Sequence, residues 1–442
     1  MRLSSLSLLI CVAAATGLGV ATADAADRWA TVWIGAVQGP YPNGNPSAQP
    51  DLKAVFRDPA AGAEDQTFRM IVRPDVWGGA VRIRLSNAFG TRPVTFDGAH
   101  VGIQSAAAAI VPGTNRAVRF AGAEKVTVAP GASVWSDPVR LDYADAASRH
   151  LLSGRKLAVS FHVVGSSGPM TWHAKSLQTS YVSRPGAGST GAAEAETSFP
   201  FSTTSWYFLD AVDMRVGPKV HRIVAFGDSI TDGTASTLNG DDRWPDAFSR
   251  RLHAKYGDAV VVANAGIGGN RVAGPVGYRA EAPFSGGPSA VERLDRDVLS
   301  LSGVDTVIWL EGINDLNKVN DASVETIEAG MKNVAARLHA RGIRVIGATL
   351  PPALGSTNAN HGSPEQDAKR RALNAFVCGS GVFDGCIDFD AVTRDPATGR
   401  MRAEFVPEST TGGAGDGLHP NRAGYQAMAN SIDFDLVLNR KK

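Results

Sequence analysis

Cysteine is scarce in this chain, with three among 442 residues, at positions 11, 378 and 386. So few thiols, with no His pair at ligand spacing, argue against a zinc site. An excess of charge of either sign is also lacking. Lys plus Arg number 44 and Asp plus Glu 43, for a net charge of +1. That balance gives no electrostatic reason to bind nucleic acid or an anionic membrane, and no basic patch is interleaved with aromatics. Apolar runs long enough to span a bilayer are absent. What remains, 43% hydrophobic and 20% charged residues, is an ordinary globular composition. The length suits two domains.

The N-terminus reads as a targeting segment. Met1-Arg2 is positive, Leu6 to Ala15 is apolar, and Ala23-Asp24-Ala25 has small residues at cleavage spacing. These features predict a signal peptide over 1–25, cleaved before Ala26. Leu9-Ile10-Cys11 lacks the small residue that usually precedes a lipidated cysteine. Export, to a secreted or periplasmic location, implies an oxidising compartment. Cys378 and Cys386 then form an even pair at short separation, which predicts a disulfide across a helix-to-strand loop.

The chain changes character near residue 218. From Ala30 to Val216 the apolar period is mostly two, as in Phe68–Arg73, Val81–Ser86, Lys125–Val128 and Lys156–Val163, with turns such as Ala88–Pro93 between. Short strands with few helical windows predict an all-β sandwich, jelly-roll-like, over 26–218. Gly186 to Glu196 reads as a loop. Beyond 218 the pattern is strand, loop, helix. Strands are expected at 222–226, 259–263, 306–310, 344–349 and 386–389, and helices near 245–256, 289–300, 323–341, 365–377 and 421–433. This alternation predicts an α/β domain over 219–442: a parallel sheet covered on both faces, flavodoxin-like, with its site at the carboxyl ends of the strands. No long linker intervenes, so docked domains are expected.

Four segments carry chemistry. Arg222–Phe226 ends in Gly227-Asp228-Ser229, which puts a hydroxyl just past a strand. Asp416-Gly-Leu-His419-Pro420 puts a carboxylate and an imidazole on one short loop, at the mouth of the helix that follows, with Pro420 suited to its first position. A serine nucleophile needs such a base, and the base such a carboxylate. The bland alternative makes Asp416 a helix cap and His419 a surface residue. Val260–Asn270 runs into the glycine-rich turn Gly268-Gly269, and Thr306–Asp315 ends in Gly312-Ile-Asn314-Asp315. An N–H near Gly269 and the Asn314 amide would be donors for an oxyanion; the alternatives are a tight turn and a loop cap.

Together and in this order, the four segments resemble the SGNH hydrolases, also called the GDSL esterase/lipase family. The similarity spans roughly Val220 to the C-terminus and leans towards the arylesterase/acylhydrolase branch. It implies a three-layer α/β/α fold, with Ser229 as nucleophile, His419 as base and Asp416 as its orienting acid. The implied oxyanion donors are Ser229 N–H, Gly269 N–H and the Asn314 side chain. Ile230 stands where the family's fourth letter is Leu, a frequent variant. A Gly-x-Ser-x-Gly elbow is excluded, because Thr231 occupies the final place.

The implied activity is hydrolysis of carboxylic esters through an acyl-enzyme, without cofactor or metal, on short acyl groups of a carbohydrate or aryl alcohol. Two alternatives are a lysophospholipase or lipase, which the Gly- and Pro-rich insert Ala273 to Pro288 does not favour, and a non-catalytic carbohydrate-binding protein. The expected partner is a small-molecule or polysaccharide ester, with no nucleic acid and no stable membrane insertion; oligomeric state is open. In the N-terminal half, Trp172, Trp206 and Tyr207 read as core, or else as a wall of the site. His173 and His361 read as ordinary polar positions.

Overall fold

The computed structural model describes residues 27–439, apart from 146 and 359. The expected signal segment 1–25, Cys11 and the cleavage point before Ala26 lie outside the described residues.

The C-terminal half forms a five-stranded parallel sheet from β1 (His221–Gly227), β2 (Val260–Gly266), β3 (Thr306–Leu310), β4 (Arg344–Ala348) and β5 (Gly385–Ile387). The strand order is β2-β1-β3-β4-β5, the flavodoxin-like order. These strands read as continuous apolar runs because both faces are covered. The longer helices are α2 (Trp244–Tyr256), α4 (Val324–His339), α5 (Pro364–Gly379) and α7 (Arg422–Ser431), and the shorter ones α1 (Ser229–Asp232), α3 (Ala290–Leu294), α6 (Phe389–Thr393) and α8 (Phe434–Leu438). Sheet order reverses at β1, so right-handed crossovers put α2 on one face and α3, α4 and α5 on the other. Contacts follow that division: α7 packs on α2 and α6, and α4 packs on α3 and α5.

Several boundaries differ from expectation, three of them for a local reason. β5 stops at Ile387, short of 389, because Asp388 caps the Ala391 N–H at 3.1 Å and opens α6. The helix expected over 289–300 is α3 followed by a π-helical turn, Asp295–Leu299. Pro420 is not the first residue of α7; Asn421 is its cap, accepting from the Ala423 and Gly424 N–H groups, so Pro420 lies outside the helix. Cys378 near the end of α5 is disulfide-bonded to Cys386 in β5.

The N-terminal half is built of antiparallel strands throughout. One sheet centres on Arg28–Ile34, Leu209–Val216 and Ala80–Ser86, and a larger one on Glu64–Val72, Leu157–Ser166 and Val94–Ile103. Val81, Ile83 and Leu85 of the first share a core with Phe68, Phe96 and Phe161 of the second. Trp172, Trp206 and Tyr207 belong to that core, so they do not form a wall of the site. A short third sheet joins Gly39–Pro40, Thr171–His173 and Trp206–Tyr207.

Only residues 217–220 separate the last antiparallel strand from β1. Buried polar links bind the halves. Asp75 accepts the Val262 N–H of β2 at 2.7 Å and faces His253 Nε2 at 3.0 Å and the Ser249 hydroxyl, both on α2. Arg73 pairs with Asp246 at 3.0 Å, and Arg84 donates to Ser300 at 2.9 Å. Removing one partner of such a buried charged cluster leaves the others unsatisfied. Asp75→Ala is therefore expected to lower unfolding free energy by about 3 kcal/mol, read from the midpoint of a urea transition.

Candidate functional site

The expected residues lie just past the carboxyl ends of β1, β2 and β3 and on the loop before α7. Ser229 follows β1 and opens α1. Asp228, capping the Ile230 N–H at 3.0 Å, sets the turn. Gly233, at φ 99°, ends the helix after one turn. The serine hydroxyl lies 2.8 Å from His419 Nε2, and His419 Nδ1 lies 2.7 Å from Asp416 Oδ2. An ionised carboxylate only accepts, so the proton sits on Nδ1 and leaves Nε2 free to accept from Ser229. Asp416 Oδ1 accepts the Leu418 and His419 N–H groups, each at 2.9 Å. Burial opposes ionisation of Asp416, but the His419 contact and these N–H donors hold its pKa well below the usual carboxylate range. Asp416 is thus no cap for α7. Its own carbonyl accepts from Ser356 Oγ at 2.7 Å and the Thr357 N–H at 2.8 Å, which fixes the loop to the segment after β4.

The turn after β2 is tied at almost every N–H. Gly266 N–H donates to Asn264 Oδ1 at 2.8 Å, Ile267 N–H to the Gly227 carbonyl at 3.0 Å, Gly268 N–H to Asp232 Oδ2 at 3.0 Å, and Asn270 N–H to the Ile267 carbonyl at 3.1 Å. Gly269 N–H has no acceptor among the described residues. Gly269 adopts φ 81°, a left-handed conformation that favours glycine. Asn314, after β3, spends one amide hydrogen on the Asn270 carbonyl at 2.9 Å, leaving the other to donate elsewhere. Ser229 N–H, at the start of a helix, has no intrahelical acceptor either.

Several polar groups that the sequence did not single out lie beneath this surface. The Arg293 side chain on α3 is fully buried. Its Nη2 donates to the Gly227 carbonyl at 2.8 Å, its Nη1 to the Ala265 carbonyl at 2.8 Å and Asp297 at 3.1 Å, and its Nε to Asn270 Oδ1 at 2.7 Å. The signal was an arginine beside the apolar Leu294 in a helix expected to pack on the sheet. Glu311 follows β3 and accepts from Trp309 Nε1 at 2.7 Å. Burial raises Asp315 to about 6, against the pull of the Val272 and Ala273 N–H groups that it accepts. Burial, then nearby Glu311, raises Asp228 well above its ordinary value.

Two histidines read as ordinary polar positions are buried instead. His173 sits against Asp232, 3.1 Å away. His361 is 6% exposed with neither ring nitrogen partnered among the described residues. Burial, then the nearby His419, pushes its pKa down to about 4, so it is neutral near pH 7. A cavity of about 430 Å³ borders the acid–base loop, lined by Asp416, Gly417, Leu354, Met401, Val406 and Pro407 among others. Among the described residues, no cluster of His, Cys, Asp and Glu is arranged to hold a metal ion, and no helix is long and apolar enough to cross a membrane.

Residues 225–427 match the model of the GDSL-like lipase/acylhydrolase family. Solved structures similar to part of the chain include a carbohydrate acetylesterase family member from Sinorhizobium meliloti, at 19% identity and TM-score 0.36, covering 48% of this chain and 95% of that one. They also include the lipase/acylhydrolase from Enterococcus faecalis, at 24% identity and TM-score 0.36, covering 48% and 93%. A GDSL-like lipase from Bacteroides thetaiotaomicron is 17% identical with TM-score 0.36, covering 49% and 87%. No curated protein sequence matches the chain.

Burial raises Glu311 from 4.5 to about 7, against the opposing pull of Arg293 and the Trp309 hydrogen bond. The folded state therefore holds this proton at pH values where the unfolded chain has released it. The resulting stability is full below pH 4.5 and is lost as pH rises through about 7. Glu311→Gln keeps an acceptor for Trp309 and removes the titration. Its stability relative to the parent is expected to rise by roughly 3 kcal/mol between pH 4.5 and pH 8, measured by denaturant unfolding at both values.

Proposed function

From the premise that residues 225–427 are a GDSL-like lipase/acylhydrolase domain, we propose that this protein hydrolyses carboxylic esters by acyl transfer to Ser229. The observation that carries this is the unbroken hydrogen-bonded line from Asp416 through His419 to the Ser229 hydroxyl, with distances of 2.7 and 2.8 Å. His419 takes the hydroxyl proton as Ser229 Oγ bonds to the ester carbonyl carbon. The carbonyl oxygen becomes an oxyanion, held by Ser229 N–H, Gly269 N–H and the free Asn314 amide hydrogen, donors that are already oriented before the charge develops. The tetrahedral species collapses, and the alcohol leaves with the proton from His419. Water, deprotonated by His419, then attacks the acyl-serine, releasing the carboxylic acid and restoring the serine. Asp416 fixes the tautomer and stabilises the imidazolium. No cofactor enters the cycle.

The rest of the proposal follows the sequence. The chain is exported after cleavage before Ala26, and the Cys378–Cys386 disulfide suits an oxidising compartment. Residues 26–218 act as a β-sandwich accessory domain, docked on a hydrolase domain at 219–442. The substrate is a short acyl ester of a carbohydrate or aryl alcohol. One observation favours a second reading, esters of lipids: the largely apolar cavity beside Asp416 and Gly417 could hold an alkyl chain.

Hydrolysis of p-nitrophenyl esters from acetyl to dodecanoyl separates these readings. Activity falling beyond butyryl supports the short-acyl reading, and a maximum at long chains supports the lipid one. Ser229→Ala is expected to abolish turnover throughout. Asn314→Ala should remain folded and lose on the order of 10²–10³ in kcat; near-normal turnover in that variant would remove Asn314 from the oxyanion site. A parent enzyme inactive on every ester would favour a non-catalytic carbohydrate-binding protein.

A further inference from the structure

We propose that the N-terminal half of the chain is a working part of this site. His173, acting through Asp232, together with Asn45 sets the Gly268–Gly269 turn from which the oxyanion donor projects. This rests on the ester-hydrolysis reading and identifies positioning residues that the C-terminal half does not contain.

The link begins at the turn. Gly268 N–H is held by a side chain, Asp232 Oδ2 at 3.0 Å, and the next N–H in the chain is the unpaired one of Gly269. Asp232 is 1% exposed. A carboxylate so buried requires a compensating partner. Its second oxygen faces His173 Nε2 at 3.1 Å. His173 Nδ1 lies 2.8 Å from the Ala36 carbonyl, and Nε2 also lies 3.0 Å from the Lys175 carbonyl. Every neighbour of both ring nitrogens is an oxygen that can only accept, so both nitrogens carry hydrogen and the ring is an imidazolium. Burial opposes that charge. The attraction and hydrogen bond of Asp232 and the two carbonyls outweigh it and raise the pKa above the ordinary imidazole value.

Two further contacts come from the same half. Lys175 Nζ donates to Thr234 Oγ1 at 2.7 Å, and the Thr234 N–H donates to the Ser229 carbonyl at 3.0 Å, so the end of α1 is gripped as well. On the other side of the turn, Asn45 packs against Gly268. A Cβ at Gly268 would lie 2.5 Å from Asn45 Nδ2 and 2.7 Å from Oδ1. The turn is thus held between a carboxyl group hydrogen-bonded to His173 and an amide side chain against which a Cβ would clash. Without His173, Asp232 loses the hydrogen bond that fixes its carboxyl group beneath Gly268. The Gly269 N–H is then no longer fixed relative to Ser229.

The test uses the full chain with His173→Gln and Asp232→Asn, assayed on p-nitrophenyl acetate alongside near-UV circular dichroism and thermal unfolding. A positioning role predicts folded variants with kcat lowered about 10- to 100-fold and KM within about threefold of the parent. Combining either change with Asn314→Ala should give less than the product of the separate losses, since both act on the same developing charge. Normal kcat in folded variants overturns the proposal while leaving the hydrolase reading intact. An inactive parent enzyme sinks the hydrolase reading and, with it, this one. If both variants unfold, Gly268→Ala decides. It should lose at least about tenfold in kcat, and adding Asn45→Gly should restore activity to within about threefold of Asn45→Gly alone. A Gly268→Ala variant of full activity, or one that Asn45→Gly does not rescue, overturns the proposal.

Discussion

The buried guanidinium of Arg293 is the interaction on which the arrangement of strand ends depends. It reaches the Gly227 carbonyl at the end of β1, the Ala265 carbonyl near the end of β2 and the Asn270 side chain in the turn beyond. It stacks over Phe226 at 4.0 Å and faces Glu311, just past β3, at 3.9 Å. A guanidinium cannot discharge by losing a proton, so in the interior it must keep its acceptors. Each acceptor lost would leave a donor uncompensated. The three strand ends are therefore fixed relative to one another, and Ser229, Gly269 and Asn314 all emerge within a few residues of those anchors. Burial raises Glu311 and Asp228 above their ordinary values, and the charge of Arg293 only partly offsets it.

Sheet topology does the remaining assembly. The hydroxyl and the imidazole that meet at 2.8 Å are separated by 190 positions in the chain. They meet because β1 lies inside the sheet, between β2 and β3, and α7 returns to pack on α2, the crossover helix between β1 and β2. The acid and base need no such return, since three residues and two backbone N–H bonds hold Asp416 beneath His419. The Asp416–His419 pair is thus local in sequence, whereas Ser229, Gly269 and Asn314 are collected from three strand ends.

That division explains what could be read from the chain alone. Each parallel strand announced itself as an apolar run, because both faces of the sheet are covered, and the glycine- and asparagine-rich turns marked the strand ends. Ser229, His419 and Asp416, which the structure brings into one hydrogen-bonded line, stood out by residue type at element boundaries, as did Gly269 and Asn314. Arg293, Asp232 and His173 did not. Their partners lie far away in sequence, so local spacing gives little sign of what each side chain meets. His361 was passed over for the same reason. The boundary errors are local: Asp388 caps a helix where a strand was expected to continue, and Asn421 caps the helix whose first position was expected at Pro420. In the N-terminal half, alternation indicated antiparallel strands. Tyr207 and the two tryptophans, read first as core, do belong to it.

The most direct test of the central claim, that Ser229 is the acyl acceptor, is stoichiometric labelling with a fluorophosphonate followed by peptide mapping. One equivalent of phosphonate on Ser229, with esterase activity falling in parallel, is the expected result. Labelling of another residue, or full activity with Ser229 modified, would contradict it.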